Sequence, residues 1–286
     1  MDERQPHRSY LPAVDPPPTA GDAAWWFAIR HDELLVVESG PSATTVSSAV
    51  DLDELGLAPL RRQYLGTLDG RPCWSAELAD GSEPPPGMAF RGLRTLYGRL
   101  DETVYGIAGR ATQVVAWDRD HRFCGRCATP TERVPTERAR RCPACGLTVY
   151  PRLSPAVIVL IERGEEILLA RGHRFPPGRF GIVAGFVETG ESLEEAVRRE
   201  VTEEVGLALA EVRYFGSQPW PFPHAVMIGF TAAWAGGEIR VDERELAEAG
   251  WFGVANLPTI PPQLSIARRL IDDWAARRGG AAIDQE

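Results

Sequence analysis

Three glutamates, Glu200, Glu203 and Glu204, lie within about one helical turn of each other in the stretch Gly185 to Leu207, G-F-V-E-T-G-E-S-L-E-E-A-V-R-R-E-V-T-E-E-V-G-L. So much negative charge in so little space is unfavourable unless a proton or a cation compensates it, and a divalent metal is the natural candidate. The flanking residues say where the carboxylates point. Ser192 followed by Glu195 has the form of a capping box, which starts a helix near Leu193, and Gly206 with apolar Leu207 stops it. At about 100° per residue, Leu193, Ala196, Val197 and Val201 share one face, and Glu200 and Glu204 fall within the same arc. Those two carboxylates are expected to point inward. Glu195, Arg198, Arg199 and Thr202 face solvent, and Arg199 is placed to reach Glu203 at i,i+4. The alternative is a charged surface helix, and the inward placement of two acids argues against it.

A second set of chemistry-bearing residues is Cys124-Gly-Arg-Cys127 and Cys142-Pro-Ala-Cys145. Each C-x-x-C forms a tight turn that offers two thiolates to one ion, and two such turns complete a tetrahedral four-sulfur site. Redox dithiols and an iron-sulfur site are the rival readings. A redox motif normally occurs once beside a βαβ pattern, so the pair reads as a zinc ribbon, with no ligand position left for water and hence a structural Zn²⁺. The third set is Ser217-Gln218-Pro219-Trp220-Pro221-Phe222-Pro223. Its three prolines stiffen a loop and hold Trp220 and Phe222 ready to stack on a flat base; the competing reading makes those aromatics core.

The elements that must position these groups read as follows. Residues 1–22, rich in Pro, Asp and Gly, form a disordered or loosely attached lead-in. Residues 23–120 form a small α+β domain: a hairpin from Trp25–Ile29 and Leu34–Val37, a second strand pair from Tyr64–Gly66 and Cys73–Leu78, a helix over about 90–105 and another over about 109–120. Residues 121–152 are the ribbon. Residues 153–286 alternate strands (156–162, 166–170, 181–184, 212–217, 224–234) with the acidic helix and a last helix over about 263–278. The fold class is thus α+β.

A chain of 286 residues holds about two domains, and its 44% hydrophobic and 25% charged content is that of an ordinary globular protein. The net charge of −9 and pI near 5.2 argue against a broad nucleic-acid surface. There is no lysine, so every basic contact falls to Arg or His, and Arg suits bidentate phosphate binding. No segment has the length of a bilayer span, and unpaired Cys73 suits a reducing compartment, so a soluble cytoplasmic protein is expected.

The stretch carrying the glutamates resembles the Nudix hydrolase box, a Gly, five residues, a Glu, seven residues, then R-E-U-x-E-E-x-G-U with U aliphatic. It matches at Gly185, Glu191, Arg199, Glu200, Val201, Glu203, Glu204, Gly206 and Leu207. With the ribbon, Tyr150-Pro151-Arg152, S-Q-P-W-P-F-P, D-E-R-E-L and the late A-R-R-L, the chain is similar over most of its length to NADH pyrophosphatases of the NudC type. The resemblance implies a C-terminal α/β/α sandwich with a mixed sheet, and hydrolysis of the diphosphate of NADH or NAD to nicotinamide mononucleotide and AMP. The same bond occurs in RNA carrying a 5′ NAD cap. It implies a homodimer, and Mg²⁺ or Mn²⁺ held by the carbonyl of Ala184 and by Glu200, Glu203, Glu204 and Glu245, with Glu203 or Glu200 as the base. Tyr150, Phe186, Gln218, Pro219, Trp220, Pro221, Phe222, Pro223, His224, Ala225 and Ala267 would shape the nucleotide pocket, and Arg94 would touch phosphate. The chain departs from the family at Ala225, where the signature has Ser, so one hydroxyl contact is missing. Two other readings stay open: a Nudix hydrolase of ADP-ribose or diadenosine polyphosphates, and a nucleotide-sensing, nucleic-acid-binding regulator.

Overall fold

The computed structural model describes residues 8–16, 23–38, 40 and 44–279. The chain divides into two units, 1–152 and 153–286.

In the first unit, short apolar runs with turns between them form β1 (Tyr10–Pro12), β2 (Ala24–Arg30), β3 (Glu33–Glu38), β4 (Thr44–Ala49), β5 (Arg61–Leu68), β6 (Arg71–Glu77) and β7 (Met88–Gly92). They make one sheet in the order β1-β5-β6-β2-β4-β3-β7, with β2 also paired to β3 and running parallel to β6. Both expected strand pairs form, β2 with β3 and β5 with β6. Three expectations need correction. Tyr10–Pro12, placed in the loose lead-in, is an edge strand in register with Gly66–Leu68, while residues 1–7 and 17–22 of that lead-in lie outside the described residues. The helix expected over 90–105 is instead the end of β7, a 3-10 turn at Leu93–Leu96, and the start of α1 (Glu102–Asp120). The cause is local: Gly98 takes a positive φ of 72°, and Asp101 caps the helix by accepting hydrogen bonds from the amides of Thr103 and Val104 at 3.0 and 3.1 Å. The helix expected from 109 therefore begins about two turns earlier, at Glu102.

The second unit is built on β11 (Ser154–Arg163), after the ribbon strands β8 (Glu132–Arg133), β9 (Arg140–Arg141) and β10 (Thr148–Val149) of the first. There follow β12 (Glu166–Gly172), β13 (Val183–Phe186), α2 (Leu193–Val205), β14 (Ala208–Trp220), β15 (Ala225–Gly236), β16 (Leu246–Gly253) and α3 (Ile266–Arg277). The sheet order is β14-β15-β11-β12-β16, with β13 paired to the first half of β11. β11 and β15 are parallel and their neighbours antiparallel, so the sheet is mixed. The alternation along β11 divides two cores. Val157, Val159 and Ile161 pack with Ala196, Val197, Val201 and Val205 of α2, and Ile158 and Leu160 pack with Leu270, Ile271 and Trp274 of α3. One sheet between two helices is the expected sandwich. β16 was not anticipated. The stretch S-Q-P-W-P-F-P, read as a loop, is instead the end of β14 as far as Trp220, then a turn over 221–224. The ladder to β15 overrides the prolines because β14 is the edge of the sheet, where a missing amide proton costs little.

Candidate active site

α2 forms where the sequence places it. Ser192 accepts from the amide of Glu195, Glu195 returns the bond to Ser192, and Gly206 ends the helix in the left-handed conformation at φ 71°. Its buried face carries Glu200 and Glu204, only 8% and 7% exposed, among fully buried Ala196, Val197 and Val201. Glu203 lies outside that face and is exposed. Glu245, in the turn before β16, is also exposed, yet its charge acts on both buried carboxylates.

The carboxylate of Glu200 occupies the space beside Gly185 that any side chain would fill: a Cβ there would lie 2.0 Å from the carboxyl carbon. The box glycine is therefore a cradle for Glu200. Arg199 organises the rest. Its Nη1 donates to Glu200 at 2.8 Å and to Glu203 at 3.0 Å, and its Nη2 donates to the Phe186 carbonyl at 2.9 Å and to Glu191 at 3.0 Å. The Arg199–Glu203 pair was expected. The links to Glu191, Glu200 and the Phe186 backbone were not, although Glu191 and Arg199 are both fixed positions of the box pattern.

The two buried carboxylates repel each other and are held away from water. Glu200 is raised above the usual glutamate range, first by burial, against the pull of Arg199. Glu204 is pushed up to about 8 by burial and then by the charges of Glu200, Glu245, Asp242 and Glu203. No ion pair or side-chain hydrogen bond reaches Glu204 among the described residues, so its charge has no internal compensation. Buried, crowded carboxylate oxygens beside a backbone cradle suit a hard divalent cation.

The site residues expected at the nucleotide from the second unit fall on the opposite face of the sheet end. Strand register gives two cross-strand rows, Phe186–Ala156–Met227–Gln218 and Ser154–Ala225–Trp220. Residues in register share a face. Met227 packs on the α3 side, so its register partners Ala156 and Phe186 (60% exposed), and Trp220 two residues beyond Gln218, stand on that side too, with Phe186 and Trp220 three strands apart. Trp220 meets Phe222 edge-on at 5.1 Å between ring centroids. Ala267 is buried in the first turn of α3, and Ala184 pairs with Ile158 on β11. His224 closes the turn, its Nδ1 3.1 Å from the Ser154 hydroxyl oxygen. Arg94 (in the 3-10 turn) and Tyr150 (donating to Glu137 at 2.9 Å) both belong to the first unit.

Gln218 was expected at the nucleotide. The structure uses both ends of its amide elsewhere: Nε2 donates to the Leu264 carbonyl and Oε1 accepts from the Ile266 amide, each at 2.7 Å. It fastens β14 to the start of α3. Gln218→Ala therefore leaves a buried amide and a carbonyl without partners, and the unfolding free energy should fall by about 2 kcal/mol. Denaturant titration checks this; an unchanged midpoint would mean that the clamp is not needed.

The four cysteines converge. Their sulfurs lie within 4.8 Å of one another, with Cys124–Cys145 at 3.6 Å and Cys127–Cys142 at 3.5 Å. A tetrahedral site with Zn–S bonds near 2.3 Å needs edges of about 3.8 Å. Each knuckle turns on a residue of positive φ just past its second cysteine, Ala128 and Gly146. The ribbon is held to α1 by a buried guanidinium: Arg140 donates to Asp118 at 2.6 Å and to Thr131 Oγ1 and carbonyl at 2.7 Å each. Purified protein should contain about one zinc per chain, and Cys124→Ser or chelation should lower the melting temperature of the first unit. Metal analysis without zinc, or an unshifted melt, would contradict this.

Residues 152–274 match the family model of the NUDIX domain, residues 23–117 that of the NADH pyrophosphatase-like rudimentary NUDIX domain, and residues 119–150 that of the NADH pyrophosphatase zinc ribbon domain. A Stutzerimonas stutzeri protein named NAD-capped RNA hydrolase NudC is 48% identical over 229 residues, 80% of this chain and 83% of the relative. The chain belongs to the NudC family of Nudix hydrolases. A NudC of the same name from Deinococcus radiodurans is 46% identical over 263 residues, covering 91% of this chain and 90% of its own. One from Pseudomonas putida is 43% identical over 269 residues, 93% and 94%. The four-cysteine cluster is thus the zinc ribbon of a NudC-family enzyme. No described helix is long and apolar enough to cross a membrane.

Proposed function

We propose that this enzyme hydrolyses the diphosphate bond of NADH and NAD, releasing nicotinamide mononucleotide and AMP, and removes NAD caps from RNA 5′ ends. The observation that carries the reading is the pairing of a carboxylate cluster around Gly185 with two aromatic side chains, Phe186 and Trp220, on the other face of the same sheet end. A flat base can stack on such rings, and the names of the relatives point to the same substrate.

Glu200, Glu204 and Glu245, with the Ala184 carbonyl, would hold Mg²⁺ or Mn²⁺, which when bound screens the phosphoryl oxygens and the leaving phosphate. Glu203 is exposed and joined to Arg199 through Oε2, which leaves Oε1 open to water, whereas Glu200 is packed against Gly185. We assign proton removal from the attacking water to Glu203; the water oxygen bonds to phosphorus as the bridging P–O bond breaks. Arg199 fixes both glutamates and the Phe186 backbone, so charge and stacking surface are placed by one side chain. Domains at 23–120, 121–152 and 153–286, a cytoplasmic location and a homodimer complete the reading.

The test is hydrolysis of NADH, NAD, NAD-capped RNA, ADP-ribose and diadenosine compounds with Mg²⁺ or Mn²⁺. The nicotinamide dinucleotides should lead, and Trp220→Ala should weaken their use by about 1 to 3 kcal/mol, the range for stacking of a base on an aromatic ring. ADP-ribose as best substrate, with a ranking unmoved by Trp220→Ala, would replace the assignment with a generic Nudix hydrolase.

A further inference from the structure

Ala225 stands where the family signature has a serine, and it is buried, so a hydroxyl is missing from the floor between Phe186 and Trp220. Another hydroxyl stands next to the gap. Ser154, the first residue of β11, is in register with Ala225 across the parallel β11–β15 pair, so both side chains rise from the same face about 4.8 Å apart. Two residues on, Ala156 is in register with Phe186, and the other neighbour of Ala225 is Trp220. Ser154 therefore lies between the two aromatics. Its amide donates to the His224 carbonyl at 2.9 Å, and its hydroxyl oxygen is 3.1 Å from His224 Nδ1. The hydroxyl makes no other hydrogen bond among the described residues. With Nδ1 engaged, Nε2 is the ring nitrogen left to meet a ligand.

We infer that Ser154 is a positioning residue for the nucleotide end of the site: its hydroxyl holds the His224 ring and supplies, from the neighbouring strand, the hydroxyl that Ala225 lacks. The inference rests on the reading of this sheet end as the dinucleotide site. This sheet end thus keeps a hydroxyl beside Ala225 although Ala225 carries none. A residue acting through His224 should affect binding of the substrate more than the chemical step.

Steady-state kinetics of the full chain with NADH test this. Ser154→Ala should raise KM about three- to tenfold, the loss of one ordinary hydrogen bond, with kcat altered less than about twofold. Ser154→Thr keeps the hydroxyl and should keep the KM. Adding Ala225→Ser to Ser154→Ala should return most of the lost affinity, and Ser154→Ala should have no further effect in a His224→Ala background. An unchanged KM in Ser154→Ala, no recovery with Ala225→Ser, or additivity with His224→Ala would each overturn the proposal. The ring proton resonances of His224 give a readout independent of turnover: they should shift in Ser154→Ala and not in Ser154→Thr, and identical spectra would remove the contact. A wild-type enzyme inactive on NADH, with the His224 resonances still responding, would overturn the substrate reading instead.

Discussion

Glu204→Gln should lower the hydrolysis rate by about three orders of magnitude, the size of effect expected when a ligand to a catalytic cation is lost, while the protein stays folded. Both halves of this result come from the same burial. The carboxylate is 7% exposed, pairs with no cation among the described residues, and faces the charges of Glu200, Glu245, Asp242 and Glu203. Gln fills the same volume without a charge, so it relieves the repulsion that the metal-free fold must bear. The sign for pH follows. Glu204 is pushed up to about 8, above the usual 4.5, so the folded state binds its proton more tightly than the unfolded chain does. The resulting stabilisation is complete below about pH 4.5, the unperturbed glutamate value, and is lost as pH rises through the folded value. In buffer free of Mg²⁺ and Mn²⁺ the second unit should lose stability across that window, less steeply in Glu204→Gln, and added Mg²⁺ should restore it. Thermal melts across this range measure the slope. Normal turnover in a folded Glu204→Gln protein would place the metal elsewhere.

Gly185→Ala is the second large effect, and it is a matter of space rather than backbone strain. A Cβ at Gly185 would fall 2.0 Å from both Cδ and Oε1 of Glu200 and 2.2 Å from Oε2. Glu200 is the end of a flexible side chain, so it can swing away and the fold survives. Arg199 loses its partner at 2.8 Å, and the carboxylate leaves the cluster. We expect kcat/KM with NADH to fall at least about a hundredfold at saturating Mg²⁺ with a melting temperature changed by only a few degrees. Full activity in Gly185→Ala would show that the position of Glu200 is not needed.

What the sequence made legible was local. The box helix could be read to its first and last residues because Ser192, Glu195 and Gly206 write both ends, and valines with two glutamates write its buried face. The four-cysteine site was legible for the same reason, since each C-x-x-C closes its own turn. Where competing local signals met, the reading failed. The apolar residues between Phe90 and Leu100 looked helical, but Gly98 and Asp101 moved the helix start to Glu102. β16 was missed because its ladder to β12 crosses about eighty residues and its glycines hide the alternation. Separation along the chain likewise hid the fastening of Gln218 to Leu264 and Ile266, 46 and 48 residues away, and the contact of Ser154 with His224, 70 residues apart. Single residues announce what they can bond, while strand register decides whom they meet.

The buried Arg140 has a bearing on how this protein could be taken apart. Its guanidinium comes from between the two cysteine knuckles, yet its acceptor, Asp118, belongs to the last turn of α1, where it is 3% exposed and also lies 3.5 Å from Arg61. A ribbon grafted in from another protein without an arginine at this place would leave the buried carboxylate only its 3.5 Å contact with Arg61, a cost of about 1.5 to 3 kcal/mol for the loss of one hydrogen bond to a charged group. The ribbon is thus not an interchangeable cassette. A chimaera that respects this architecture must carry the sheet, α1 and the ribbon together, because Arg61 of β5 meets Asp118 and Arg138 of the ribbon donates to the Tyr64 carbonyl at 2.9 Å; the cut belongs after Arg152.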